Sequence, residues 1–219
     1  MQKVSNLFEA KAAIFDMDGT LTDSAGMWLD SRVAFFQEYG LNGTPEHIHQ
    51  MIHLPVVAAS QYAIDTFGLK ASLDEVIQFW RDYAGRRYST DIELKPGVKT
   101  FFEKLKSDGV PICLATGCTL DLAHMVLDRH GVGQLLDYEI CVDEIGGDKS
   151  SPDIYLQCAR KFGLTPGNCV VFEDCLPGIK AAYGAGFYTV AIQDHHSPYP
   201  LNDYKDSYDM VIENFEKLI

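Results

Sequence analysis

Three short apolar runs along the chain each stop at a polar cluster: Ala12-Ala13-Ile14-Phe15 before Asp16, Ile112-Cys113-Leu114-Ala115 before Thr116, and Cys169-Val170-Val171-Phe172 before Glu173. Runs this short and continuous predict strands buried on both faces, as in a parallel sheet. Helix-like segments lie between them: Gly97 to Ser107 closed by Gly109, Thr119 to His130 closed by Gly131, and Ile154 to Phe162 closed by Gly163. Ser151-Pro152, a capping hydroxyl followed by proline at the first helical position, predicts the start of the last one. Strand and helix alternate, so the expected architecture is a doubly wound α/β sheet.

The stretch from Ser24 to Leu94 breaks this rhythm. Trp28, Leu29, Val33, Phe36 and Tyr39 recur at helical spacing with Gly40 as a stop, and further starts fall at Thr44-Pro45 and at a capping box of Ser72 and Glu75. The stretch contains no strand-like run. The expected organisation is therefore a core of residues 1–23 and 95–219, with an all-helical insertion, 24–94, after the first strand. Its hinges fall near Asp23 and Pro96. The tail from His195 to Asp206 reads as irregular.

Length and charge narrow the possibilities. The 219 residues suit one core with a sizeable insertion, and 47% hydrophobic residues do not suggest disorder. The 31 acidic residues outnumber 18 scattered basic ones, for a net charge of -13, which argues against nucleic acid. An anionic substrate would have to be small and locally neutralised. The six cysteines, Cys113, Cys118, Cys141, Cys158, Cys169 and Cys175, form no C-x-x-C pair and read as free core thiols of a reducing compartment. Lys3, Asn6, Glu9 and Lys11 interrupt the N-terminal apolar residues, and no run is long enough to span a bilayer. The expectation is a cytoplasmic protein without a membrane partner. Its oligomeric state is left open, with a monomer compatible with these residues.

Parallel sheets bind ligands beyond the carboxyl ends of their strands, so polar residues directly after the apolar runs should converge. Asp16-Met17-Asp18-Gly19-Thr20 offers one carboxylate to attack phosphorus and a second to move protons, although a D-x-D pair is equally a capped turn. Thr116-Gly117 offers a hydroxyl and N–H groups to a phosphoryl oxygen. Lys149 offers a fixed cation, against the commoner outcome of a surface lysine. Glu173-Asp174 ends a buried run with hard oxygen donors suited to Mg²⁺.

The order and spacing of these clusters resemble the haloacid dehalogenase superfamily, in the helical-cap branch of β-phosphoglucomutase-like and phosphoglycolate-phosphatase-like enzymes. Ile14 to Ser24 matches the first motif, Ala115-Thr116-Gly117 the second, Lys149 with Ser151 to Tyr155 the third, and Val171 to Ala182 the fourth. Four ordered motifs over nearly the whole chain are far more specific than one. The resemblance implies a Rossmann-like core with a helical cap. It also implies Asp16 as nucleophile, Asp18 as general acid/base, Thr116 and Lys149 as catalytic phosphate holders, and Gly117 as a further phosphate contact. Mg²⁺ would be held by Asp16, Asp174 and the backbone carbonyl of Asp18, with Glu173 assisting. A dehalogenase proper is disfavoured because, by the same resemblance, such enzymes lack the second aspartate and the metal.

The implied activity is phosphatase action on a small phosphorylated metabolite. A sugar-phosphate mutase is the alternative, and a non-enzymatic aspartyl phosphoacceptor is a remoter one. Mutase-like members carry an arginine in the second cap helix, where this chain reads Met51-Ile52-His53-Leu54-Pro55-Val56-Val57. Ser150 also replaces the proline that commonly follows the lysine. His47, His49 and His53 share one helical stretch, but without a third ligand nearby they read as solvated, capping or substrate-facing residues rather than a zinc site. His195-His196 reads likewise. Trp28, Phe35, Phe36, Phe79 and Trp80 read as core of the insertion, and Arg81, Arg86 and Arg87 as a solvated helix face.

Overall fold

The computed structural model describes residues 3–52, 54–194 and 200–219. They form two compact units, one of residues 1–23 with 93–219 and one of residues 24–92.

The first unit is built on a six-stranded, all-parallel sheet of β1 (Ala12–Phe15), β2 (Ile112–Thr116), β3 (Tyr138–Cys141), β4 (Cys169–Glu173), β5 (Tyr188–Ile192) and β6 (Met210–Ile212), ordered β3-β2-β1-β4-β5-β6. The three apolar runs are its central strands β1, β2 and β4. Strands β3, β5 and β6 were not among the expected elements. Tyr138-Glu139-Ile140-Cys141 carries a charge, and Met210-Val211-Ile212 is only three residues long, so neither stands out as an apolar run. Tyr188-Thr189-Val190-Ala191-Ile192 is rich in β-branched residues, a composition that favours a strand.

The side chains of β1 alternate between faces. Ala12 and Ile14 join Cys113, Ala115, Ile154, Tyr155, Cys158 and Ala182 in one buried cluster. On the other face Phe15 stacks on its register partner Phe172, with ring centroids 4.5 Å apart and planes 5° from parallel. Phe102 and Phe215 pack tilted against Phe15 at 4.9 Å and 6.0 Å. Five cysteines are buried and free, and Cys175 is half-buried and free.

Helices α5 (Val98–Ser107), α6 (Leu120–Leu127), α7 (Val142–Ile145), α8 (Asp153–Lys161) and α9 (Leu176–Gly184) belong to this unit. Their numbering follows α1 to α4 of the second unit. Helix α6 stops three residues short of the expected His130. There Gly131, at φ +69°, donates to Asp128 and closes the end as a turn. Helix α8 starts at Asp153, one residue after the proline of the capping signal and one before the segment's Ile154, and the Ser151 hydroxyl accepts from the Asp153 N–H at 3.4 Å. Leu201–Ser207 of the tail is a 3₁₀ helix kinked at Tyr204 rather than irregular chain. Residues 195–199, including His195 and His196, lie outside the described residues.

A buried ion pair fixes the point where the chain re-enters the sheet unit. Lys95 Nζ reaches Asp194 Oδ2 at 2.6 Å, with side chains 9% and 1% exposed. Asp194 follows β5, so the pair joins the loop beyond that strand to the segment leading into α5. Removing one partner leaves a buried charge uncompensated, at a cost of about 3–5 kcal/mol. Lys95→Met is expected to lower unfolding stability by that amount in urea titration, and a loss under about 1 kcal/mol would show the pair to be solvated.

The second unit contains α1 (Ala25–Glu38), α2 (Pro45–Ile52), α3 (Val56–Phe67) and α4 (Leu73–Thr90). The expected capping box opens α4: Glu75 N–H donates to Ser72 Oγ at 3.3 Å and Ser72 N–H to Glu75 Oε2 at 2.7 Å. Phe35, Phe36, Met51, Ala59, Ala63, Val76 and Trp80 make the core of this unit. The face of α1 differs from the expected one. Leu29 and Val33 are 38% and 43% exposed, whereas Met27, Ser31, Arg32, Phe35 and Phe36 are buried. The series 27, 31, 35 and 28, 32, 36 runs along the inner stripe, and its polar members Ser31 and Arg32 disguised it.

Candidate active site

The sheet order reverses at β1: β2 and β3 lie to one side and β4, β5 and β6 to the other. Loops leaving the carboxyl ends of β1 and β4 therefore diverge, which leaves room for a ligand. Asp16 is the first residue after β1, and its N–H donates to the Phe172 carbonyl at 3.0 Å, which sets it beside the end of β4. The chain then curls tightly. Thr20, Leu21 and Thr22 N–H groups all donate to the Met17 carbonyl, at 3.2, 2.8 and 3.0 Å. Gly19, at φ +79°, lies against Asp174 so closely that a Cβ there would collide with its carboxylate. Only glycine meets both conditions.

Three carboxylates and one cation meet at this point. Lys149 Nζ, on a side chain only 10% exposed, pairs with Asp16 Oδ1 and with Glu173 Oε2, the latter at 2.9 Å. Glu173 is wholly buried. Its Oε2 also accepts from Tyr155 OH at 2.8 Å, and its Oε1 accepts from the N–H groups of Asp174 and Cys175 at 3.2 and 3.1 Å. Thr20 Oγ1 donates to Asp174 Oδ1 at 3.4 Å. Asp16 Oδ2 is buried with no hydrogen-bond partner among the described residues. Oxygens of Asp16, Glu173 and Asp174 lie within 4.8 Å of one another.

The electrostatics follow from this crowding. Burial, then the neighbouring Glu173 charge, pushes the Asp16 carboxyl up to about 7, with Lys149 opposing and half-buried Asp18 adding to the rise. Asp174 is raised well above the ordinary carboxylate range by burial and by the charges of Asp16 and Glu173. Burial works to lower Lys149, but the charges of Asp16 and Glu173 outweigh it and hold the ammonium form. A cluster so rich in carboxylate, with one orphaned oxygen and a single lysine, fits a hard cation with oxygen ligands.

Of the residues singled out from sequence, Asp16, Lys149, Glu173 and Asp174 come together directly. Thr116 ends β2 and is buried, with its hydroxyl accepting from Cys118 N–H at 3.1 Å and donating to Cys118 Sγ at 3.3 Å. Gly117 beside it is exposed. Tyr155, which orients Glu173, stands in the sequence only as part of the third motif. Nothing in its spacing announces that role. His47 caps its helix, with Nδ1 accepting from Thr44 N–H at 3.2 Å, and His53 lies outside the described residues. Arg81 and Arg86 are exposed, and Arg87 pairs with Asp91 at 2.7 Å. Among the described residues no helix is long and apolar enough to cross a membrane.

The family model for haloacid dehalogenase-like hydrolases matches residues 10–186. The chain belongs to this family. It is thus an enzyme of the hydrolase class with the α/β architecture of that group. The chain is 29% identical to the "Probable pseudouridine-5'-phosphatase" of Drosophila melanogaster over 193 residues, 83% of this chain and 80% of that protein. It is 27% identical to the "Phosphorylated carbohydrates phosphatase" of Thermotoga maritima over 176 residues, 80% of this chain and 82% of that protein. In fold, this haloacid dehalogenase-like chain is similar to the phosphate-bound crystal structure of CbbY from Rhodobacter sphaeroides. The TM-score is 0.82 at 20% identity, covering 95% of this chain and 96% of that one.

Proposed function

We propose that this haloacid dehalogenase-like hydrolase is a magnesium-dependent phosphatase of small phosphorylated metabolites, acting through an aspartyl phosphate on Asp16, with residues 24–94 selecting the substrate. The observation that carries this reading is the pairing of Asp16 with Lys149 while its second carboxylate oxygen is buried and unpartnered. The phosphatase names of the two relatives support the substrate class.

In the first step a carboxylate oxygen of Asp16 forms a bond to phosphorus as the bond to the leaving oxygen breaks, and Asp18 gives that oxygen its proton. In the second, Asp18 takes a proton from water, which attacks phosphorus and releases Asp16 and inorganic phosphate. Lys149, Thr116 and the Gly117 N–H hold phosphoryl oxygens and offset their charge. Glu173 holds Lys149 and the loop after β4 in place. All four of its acceptor positions are already used, so Asp16, Asp174 and the Asp18 carbonyl are the better direct ligands for Mg²⁺. When bound, Mg²⁺ would supply positive charge against the phosphoryl group and the carboxylates. The segment Met51 to Val57 carries no arginine or lysine, which favours hydrolysis over return of the phosphoryl group to a sugar.

The test is a phosphate-release screen over sugar phosphates, nucleoside monophosphates and phosphoglycolate, with Mg²⁺ or with excess EDTA. One phosphate released per monoester consumed, lost in EDTA and restored by Mg²⁺, is expected. Full activity in chelator would refute the metal dependence. Isomerisation of glucose 1-phosphate with little free phosphate would make the chain a mutase.

A further inference from the structure

We propose that Arg32, in the helical unit, binds an oxyanion: the guanidinium receives a carboxylate or phosphate group of a small ligand beside Trp28 and Trp80. Arg32 lies in the middle of α1 and is only 3% exposed. Its guanidinium carbon is 4.5 Å from the Trp80 ring centroid and 5.6 Å from that of Trp28. Nη1 donates to Ser31 Oγ at 3.0 Å, and that hydroxyl in turn donates to the Trp28 carbonyl at 2.6 Å. Nε is buried with no acceptor among the described residues. Trp80 is itself anchored, its Nε1 donating to Ser60 Oγ at 3.0 Å.

What sets Arg32 apart is the missing counter-charge. The buried cations of the sheet unit, Lys149 and Lys95, each have a carboxylate partner. Among the described residues Arg32 has none, and burial alone lowers its guanidinium to about 10. Two aromatic faces attract the cation, but neither ring carries the full negative charge that would offset its burial or accepts from the orphaned N–H. The rings and Ser31 therefore orient the fork without neutralising it. A planar fork with its Nε–H unpartnered among the described residues matches the oxygens of a carboxylate or phosphate. That oxyanion belongs to a small anionic ligand held within the helical unit. The proposal does not depend on which reaction Asp16 performs.

Trp28 and Trp80 are the two tryptophans of the chain, so intrinsic fluorescence reports directly on the site. Inorganic phosphate and malonate, titrated separately into the full-length Asp16→Asn protein, are expected to change that fluorescence saturably. Arg32→Gln and Arg32→Met in the same background should weaken the response about tenfold or more, as for loss of a charge-assisted hydrogen bond, and Arg32→Lys should keep part of it. Circular dichroism and unfolding midpoints identify any variant that fails to fold. No saturable response to either probe before mutation, or equal affinity in Arg32→Gln and Arg32→Met, would overturn the assignment and leave Arg32 a packing partner of the tryptophans.

Discussion

Asp16→Asn is expected to reduce phosphate release by more than about a thousandfold, the scale seen when a covalent catalytic group is removed. The amide keeps the shape of the side chain and can still accept from Lys149, so the fold should persist. It is not a competent nucleophile toward phosphorus. The measurement is phosphate release by purified protein, with circular dichroism as the check on folding. Activity within a few-fold of wild type would remove Asp16 from the role. The substitution also lightens the charge at the cluster, where burial and Glu173 already push the Asp16 carboxyl up to about 7. A variant more stable than wild type yet inactive would therefore agree with the reading.

Asp18→Asn is expected to slow both half-reactions, by roughly a hundred- to ten-thousandfold overall, because one carboxyl serves first as acid and then as base. The two roles separate with the leaving group. A nitrophenolate needs no proton, so formation of the aspartyl phosphate should recover with such a substrate. Hydrolysis of that intermediate should not. Rapid-quench measurements are expected to show a burst of nitrophenolate followed by slow turnover. Turnover restored completely by the better leaving group would show that Asp18 does not activate water.

The central strands were legible because nothing but a two-sided core tolerates Ala12-Ala13-Ile14-Phe15 or Cys169-Val170-Val171-Phe172, and the reactive carboxylates stand where those runs end. The edge strands were harder. Glu139 interrupts β3, and β6 is too short for any pattern to rise above its surroundings. In α1 the apparent stripe of Leu29 and Val33 is exposed while Ser31 and Arg32 are buried, since hydrophobicity ranks residues by ordinary preference and an aromatic-lined arginine violates it. The meeting of Asp16, Lys149, Glu173 and Asp174 could be anticipated from strand ends. The parts of Tyr155 and Gly19 could not, because orienting a carboxylate or leaving it space depends on contacts between distant segments.

The stacking of Phe15 on Phe172 has a bearing on how the enzyme comes into being. Register partners in the hydrophobic layer, they hand the chain directly to Asp16 and Glu173, so one contact both closes the centre of the sheet and assembles the reactive group. The links within that group join residues 133 and 154 positions apart, Lys149 with Asp16 and Thr20 with Asp174. Contacts so distant carry the entropic cost of closing long loops. An unfinished or locally unfolded chain thus holds its carboxylates apart, in water, and the perturbed acid–base chemistry arises only when the two halves of the sequence have zipped together.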